Sequence, residues 1–377
     1  LVDGMEMSLN EVNPNDVASI SILKDAASCA IYGNRGANGV ILVTTKRGSD
    51  GKINVTYSGK FSYQTPAKLI RQVTDYADYM EFVNEGYLNT NQAAKFSQST
   101  INEWREAANN PNATNVAGIP NYVTHPNTDW YDALYRNWAF SQEHNLSVNG
   151  GTEKISYYLS MNYLDQNGLM EFNQDQYNRY TTTAKINVTL TDWAKFNYSN
   201  RFTREDYGRP ADLTDDLYYN LARQGWPTLP LYDNNGYLYS SPSPALGLRD
   251  GGRDRTQTDN LYQQASLILE PIKNWVTHVD FNYRIKSANR HWDKQLTYNH
   301  DVDGNPYVYN QSSNVHEDYL KENYVNINAY TEYSHSLESG HNFQELHSPV
   351  QLIPQNDLRC CHLQNQQRTL LWYHPQP

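Results

Sequence analysis

The sequence predicts a mainly β protein, in which a small α/β unit at the N-terminus precedes strands of a transmembrane antiparallel β-barrel. Three observations carry this. Apolar and polar residues alternate with a period of two in segment after segment. The links between those segments alternate between short and long, the parity of an outer-membrane barrel with turns on one side and loops on the other. No apolar run approaches the roughly 20 residues that a membrane helix needs, and hydrophobic residues make up only 38% of the chain, so a helical membrane protein is excluded while a barrel is not.

The N-terminal unit comes first. Ser19 to Leu23 is a short β-rich run that Lys24 and Asp25 end. Asp25 suits the N-cap of a helix over Ala26 to Tyr32, and Gly33 its C-terminal stop. The segment from Asn34 to Gly39 holds two glycines and two asparagines, residues that tolerate positive φ, so the chain folds tightly before Val40 to Thr45 re-extends. A small βαβ-like unit is expected. Its glycines are not a phosphate loop: Gly33, Gly36 and Gly39 are spaced by three, no Gly-Lys-Ser/Thr follows, and the turn opens a strand where a nucleotide loop opens a helix.

The barrel segments follow. Ile53, Val55, Tyr57, Phe61 and Tyr63 alternate with Asn54, Thr56, Ser58, Lys60 and Ser62, and the same pattern returns at 155–163, 180–190, 194–202, 261–269, 279–285 and 325–333. The opposite faces are Asn, Ser, Thr, Gln and Lys, too polar for a second core layer, and are expected to meet water. Short links stand at 150–153, 191–193, 271–274 and 336–340, long ones at 65–140, 207–258 and 290–322, with a moderate one at 165–177. Strands of roughly nine to thirteen residues suit tilted spans. The 31 tyrosines and 8 tryptophans suit interfacial girdles.

Within the first long link, Tyr76 to Tyr87 spaces Tyr76, Tyr79, Met80 and Val83 as a packed helix. Trp130 and Tyr131 are candidate substrate-facing aromatics, able to stack on sugar rings; for these and Trp138 the competing reading is a girdle or a loop core. Asp301 to Asn305 invites a calcium loop, but Pro306 stands where the glycine belongs and no bidentate glutamate follows, so a β-turn is expected, as at Asp233 to Gly236.

The charge of −11 leaves no footprint for nucleic acid. The eleven histidines contain no H-E-x-x-H, and there is no G-x-S-x-G, so no catalytic residue, cofactor or metal is assigned. The three cysteines, Cys29, Cys360 and Cys361, offer neither a zinc spacing nor a disulfide framework, and Cys29 reads as a small buried hydrophobe.

The uninterrupted stretch from Asn13 to Gly48, NPNDVASISILKDAASCAIYGNRGANGVILVTTKRG, resembles the plug signature of the SusC/RagA family of TonB-linked outer-membrane transporters. Asn13, Pro14, Asp16, Lys24, Asp25, Tyr32, Gly33, Arg35, Gly36, Asn38 and Gly39 carry that resemblance. It implies a plug folded inside a barrel of about 22 strands. It implies as partners a TonB–ExbB–ExbD complex that pulls on the plug and a SusD-like surface lipoprotein that closes over the barrel. It implies a Gram-negative outer membrane of Bacteroidota type, and an oligosaccharide or peptide ligand. Arg35, by its place in the RG turn, is expected to pair with glutamates of the barrel wall.

The resulting division is residues 1–50 as the C-terminal half of a plug, 51–343 as the N-terminal part of a barrel, and 344–377 as a non-barrel tail. Leu1 to Gly4 already read as plug, with no signal peptide, TonB-contact segment or N-terminal accessory domain ahead of them in this sequence. Eight strands and the start of a ninth at His341 to Phe343 are too few to close a pore, because open edges cannot be satisfied in lipid. After Phe343 the alternation stops, which suggests a shifted reading frame or a disordered end. The expected function is import of an oligosaccharide. Its alternatives are a receptor for peptides or siderophores, and a β-rich surface glycan-binding protein or glycoside hydrolase.

Overall fold

Alternating strands must put their apolar residues somewhere, and here they point outward. The computed structural model describes residues 1–25, 29, 36–67, 72–217, 226–239, 244–336, 342–352 and 355–365. Its main body is one antiparallel sheet of strands joined to their sequence neighbours: β3 (Gly51–Gln64), β4 (Ala139–Gly151), β5 (Ile155–Asn167), β6 (Gln176–Thr191), β7 (Ala194–Pro210), β8 (Arg253–Ile272), β9 (Trp275–Lys294) and β12 (Asn314–Ser336). Ile53, Val55, Phe61, Leu146, Leu159, Met161, Ile186 and Phe281 are exposed on one face, while Asn145, Asn162, Thr181, Thr183 and Thr203 are buried on the other. That inversion suits lipid outside and a polar lumen inside.

The register explains the burial. Asn145, Asn162, Thr181, Thr203 and Asn260 stand opposite one another across five strands, and Ser147, Ser160, Thr183, Arg201, Tyr262 and Arg284 form the next luminal rung. These rungs are covered by the N-terminal unit; they were expected to meet water. Polar side chains on the barrel side and polar side chains on the unit satisfy each other.

Several strands are longer than expected: β6 has 16 residues, β7 has 17, β8 and β9 have 20, and β12 has 23, while β4 and β5 have 13. Backbone pairing continues past the apolar span, since ladder hydrogen bonds need no apolar side chain. The link expected at 290–322 shrinks accordingly, and holds the hairpin of β10 (Thr297–His300) and β11 (Pro306–Asn310).

The N-terminal unit departs from expectation. Its strands β1 (Val17–Leu23) and β2 (Val40–Thr45) pair antiparallel, with Leu23 opposite Val40, so the unit is not βαβ in topology. A parallel crossover has to carry the chain back along the strand; here residues 24–39 return it to the end they left. The helix expected over Ala26 to Tyr32 lies outside the described residues except for Cys29, which is helical and buried.

Beyond Phe343, where no alternation was read, the chain forms β13 (Asn342–Leu352) and β14 (Gln355–Asn365). Both take the same edge of β12, β13 against Ile327–Ser336 and β14 against Val315–Tyr324. An unpaired edge is a template for any extended segment.

The long links fold on themselves. Helix α1 (Tyr76–Asn89) starts at Asp75, whose carboxylate accepts from the Ala77 and Asp78 amides, and it buries Ala77 and Met80 against Ile101 of α2 (Gln98–Asn109). The short helices α3 (Asn121–Thr124) and α4 (Trp130–Leu134) complete this link. A larger core joins Trp130, Tyr131 and Leu134 to Met170, Leu213, Leu217 and Leu238, and to Leu246 and Leu248 of α5 (Ala245–Asp250).

Candidate functional site

The site is the seam between the N-terminal unit and the polar face of the sheet. Pro14 opens a 3₁₀ turn, Pro14–Asp16, and Asn13 caps it by accepting from the Asn15 amide at 3.0 Å. That turn aims two buried side chains at the wall. Asn13 donates through Nδ2 to Asn145 Oδ1 at 2.7 Å. Asp16, 1% exposed, accepts from Tyr158 OH and Ser160 Oγ at 2.8 Å each and from Thr183 Oγ1 at 3.1 Å. Three hydroxyls from two strands thus satisfy one carboxylate.

A second anchor lies nearby. Asp3 accepts from the Thr45 amide at 2.9 Å and the Thr45 hydroxyl at 2.6 Å, and pairs with Lys185 Nζ at 2.9 Å. Lys185 also donates to Thr45 Oγ1, and Gln264 Nε2 donates to the Asp3 carbonyl at 3.0 Å. Burial pushes the Asp3 carboxyl up, but Lys185 and the Thr45 hydrogen bonds outweigh it and hold the group below its ordinary value. Glu11 is the opposite case. Burial pushes it above its ordinary value, and the 2.7 Å hydrogen bond from Tyr262 OH counters this only in part. Arg179 Nη1 donates to the Asn10 carbonyl at 2.6 Å, completing a row of contacts from β4 to β8.

No protein-family model matches the chain. It is 31% identical over 295 residues to TonB-dependent receptor P26 of Formosa agariphila and 28% identical over 298 residues to TonB-dependent receptor SusC of Bacteroides thetaiotaomicron. Each match covers 75% of this chain and 26% of the relative, so the chain spans about a quarter of the length of the curated relatives it matches. Its fold matches the RagAB peptide transporter with a TM-score of 0.67 at 19% identity, over 92% of this chain and 40% of that one. The chain belongs to the SusC/RagA type of TonB-dependent receptors.

In this receptor the signature residues divide by role. Asn13 and Asp16 make the wall contact, and Pro14, itself exposed, opens the turn that carries them. Lys24 and Asp25 follow β1, and Gly36, Asn38 and Gly39 lead into β2. Gly39 has φ +89°, and a Cβ there would lie 3.0 Å from the Leu23 carbonyl, so the turn requires glycine. Tyr32, Gly33 and Arg35 lie outside the described residues. Gly48 closes the stretch where the chain crosses β5, and a Cβ there would stand 2.3 Å from the Tyr157 amide.

Trp130 and Tyr131 are 1% and 9% exposed in the loop core, and Trp130 Nε1 donates to the Trp226 carbonyl at 2.9 Å. Both belong to the apolar cluster of that core, as the loop-core reading has it. Trp138 is exposed and meets Tyr63 edge-on at 5.4 Å, beside Phe61 and Phe140, as an interfacial girdle would. The Asp301 loop is a turn, its carboxylate accepting from the Asp303 and Asn305 amides at 2.9 and 2.8 Å.

Sequence reading missed Asp3, Glu11, Tyr158, Lys185, Arg201 and Tyr262. A usable signal was present. Arg179, Thr181, Thr183 and Lys185 share one strand face, and two long cations on a luminal face announce an anionic partner within the barrel.

Proposed function

We propose that this chain is the plug-and-wall portion of an energy-coupled importer in the outer membrane. Its cargo is an oligosaccharide, its lid a SusD-like surface lipoprotein, and its power source the TonB–ExbB–ExbD complex. One observation supports this above others: a unit folded separately is held against the lumen face of an inside-out sheet by buried hydrogen bonds, chiefly those of Asp16. Such a contact closes a passage and is still reversible, because each hydroxyl can exchange Asp16 for water. The match to curated TonB-dependent receptors supports the coupling to TonB.

In this reading residues 1–50 are plug and 51–343 wall, and Arg35 pairs with wall glutamates. As part of a transporter, the chain is read as non-enzymatic. A shifted frame over 344–377 requires that a neighbouring frame of the DNA continue the period-two pattern past Phe343; if neither does, that part fails.

The test is uptake of labelled neutral oligosaccharides by cells carrying the full-length gene, with and without functional TonB. TonB-dependent accumulation that disappears on deleting the gene is expected. Accumulation indifferent to TonB overturns the mechanism. Uptake of peptides in place of glycans, the cargo named for the RagAB transporter, overturns the cargo alone.

A further inference from the structure

The apolar span on the outside of the sheet ends at a line that the register draws. On β7, β8 and β9 its last members towards the long links are Phe202, Leu261 and Ile285, which stand side by side. From Leu261 to Leu269 the chain rises roughly 26 Å along the strand, and a tilt of about 40° leaves about 20 Å along the membrane normal, near the height of an outer-membrane apolar band. The next outward rung reads Tyr163, Tyr180, Arg204, Asp259, Ser287 and Lys321 across six strands. Tyr163 and Tyr180 stack with centroids 5.0 Å apart, as aromatic side chains do at a membrane–water interface.

Above that line the charges divide. Arg204 donates from Nε and Nη2 to the two carboxylate oxygens of Asp259, each at 2.7 Å. Asp206 lies on the same strand as Arg204, away from β12. Two rungs higher Arg255 stands beside His291, whose Nδ1 lies 2.5 Å from Glu317 Oε1. Arg255 and Lys321 are left: both are exposed, and among the described residues neither side chain makes a hydrogen bond or an ion pair. The rung between them holds Gln257, Asn289 and Tyr319, all neutral. With the same rise and tilt, Lys321 stands about 5 Å and Arg255 about 15 Å beyond the apolar line, and long basic side chains bend towards such an interface.

From this we propose that the outward face of β8, β9 and β12 binds a phosphate-bearing glycolipid of the outer leaflet. Arg255 and Lys321 meet its phosphate, the amides of Gln257 and Asn289 match sugar hydroxyls, and its acyl chains lie on Leu261, Ile285 and Phe281. Two tiers of polar groups suit a thick sugar headgroup better than a single phosphodiester layer. A second copy of the chain fits less well, because Asp259 and Glu317, the carboxylates it would offer to Arg255 and Lys321, are already taken. The inference rests on the outer-membrane reading and is independent of cargo.

The test incubates the full-length receptor, in detergent micelles, with a monophosphorylated disaccharide glycolipid, the same glycolipid dephosphorylated, phosphatidylglycerol, or inorganic phosphate. Native mass spectrometry reads the lipid retained and the oligomeric state. Preference for the phosphorylated glycolipid is expected, weakened about fivefold by Arg255→Ala or Lys321→Ala and about 25-fold by both, as basic groups at an anionic membrane surface would be. Arg255→Lys with Lys321→Arg should restore it, and Arg105→Ala, in the first link, should leave it unchanged. Heat-modifiable gel migration checks that each variant is folded. Equal retention of the dephosphorylated lipid, preference for phosphatidylglycerol, displacement by equimolar inorganic phosphate, or a double variant that alters only the oligomeric state overturns the inference. Phosphate-selective retention by a receptor that imports nothing would sink the import reading alone, and TonB-dependent import without that selectivity would sink this inference alone.

Discussion

Asp16 shows how little chemistry a plug contact needs. A buried carboxylate holding three hydroxyls stabilises docking through charge-assisted hydrogen bonds, each contributing about 1.5–3 kcal/mol. Asp16→Ala is expected to weaken docking by about 3 kcal/mol and to open residues 1–50 to protease in the purified receptor. Asp3 and Glu11 should respond to pH with opposite sign. Asp3 sits below its ordinary value of 3.8, so its contribution is present above that pH and is lost as pH falls through the lower folded value. Glu11 sits above its ordinary 4.5, so its contribution is present below that and is lost as pH rises through the raised value. Thermal unfolding from pH 3 to pH 8 checks both: Asp3→Asn should flatten the acid limb, and Glu11→Gln the limb above it. Asp3→Asn also leaves the Lys185 ammonium buried without its partner, which costs about 3–5 kcal/mol.

Among elements, the β1–β2 pair depends on two glycines for different reasons. At Gly39 the backbone itself is the constraint, so Gly39→Ala should cost about 1–2 kcal/mol through positive φ. At Gly48 the constraint is the wall, since any Cβ meets the Tyr157 backbone. Gly48→Ala should therefore displace the plug while leaving the barrel intact, seen as faster proteolysis of residues 1–50 with unchanged heat-modifiable migration. Much at this scale was legible in the sequence. Strands such as 53–63 and 155–163 announce themselves because one face must be apolar for lipid. Their ends do not: β12 runs on through Asn314–Glu322, where the period-two alternation is lost and cross-strand pairs such as Glu317 with His291 are polar. The antiparallel sense of β1 and β2 was equally hidden, because it depends on where residues 24–39 return the chain. Of the site, Asn13 and Asp16 were legible as a motif but not as contacts, since their partners lie 132 to 167 residues away.

For the whole molecule, the inversion of the sheet makes a clean prediction. Leu159→Arg places a charge on the lipid face and is expected to cost about 2–4 kcal/mol near the midplane, whereas a cation is already accepted on the luminal face of the same sheet at Lys185. Urea unfolding of the full-length receptor in lipid vesicles measures it. Trp130→Ala should cost about 3–5 kcal/mol, but locally, loosening the loop core without changing the barrel. Hydrogen exchange resolved by segment separates the two.

That loop core also constrains how such receptors diversify. Trp130, Met170, Leu213 and Leu246 come from three connections yet fill one interior. Grafting a single connection from a relative would leave half an interior facing nothing, so recognition surfaces of this kind are expected to be inherited as a block. Chimaeras exchanging 126–138, 168–175 and 211–252 together should fold where single exchanges fail, and the same coupling would make recombination, more than point substitution, the route to a new cargo.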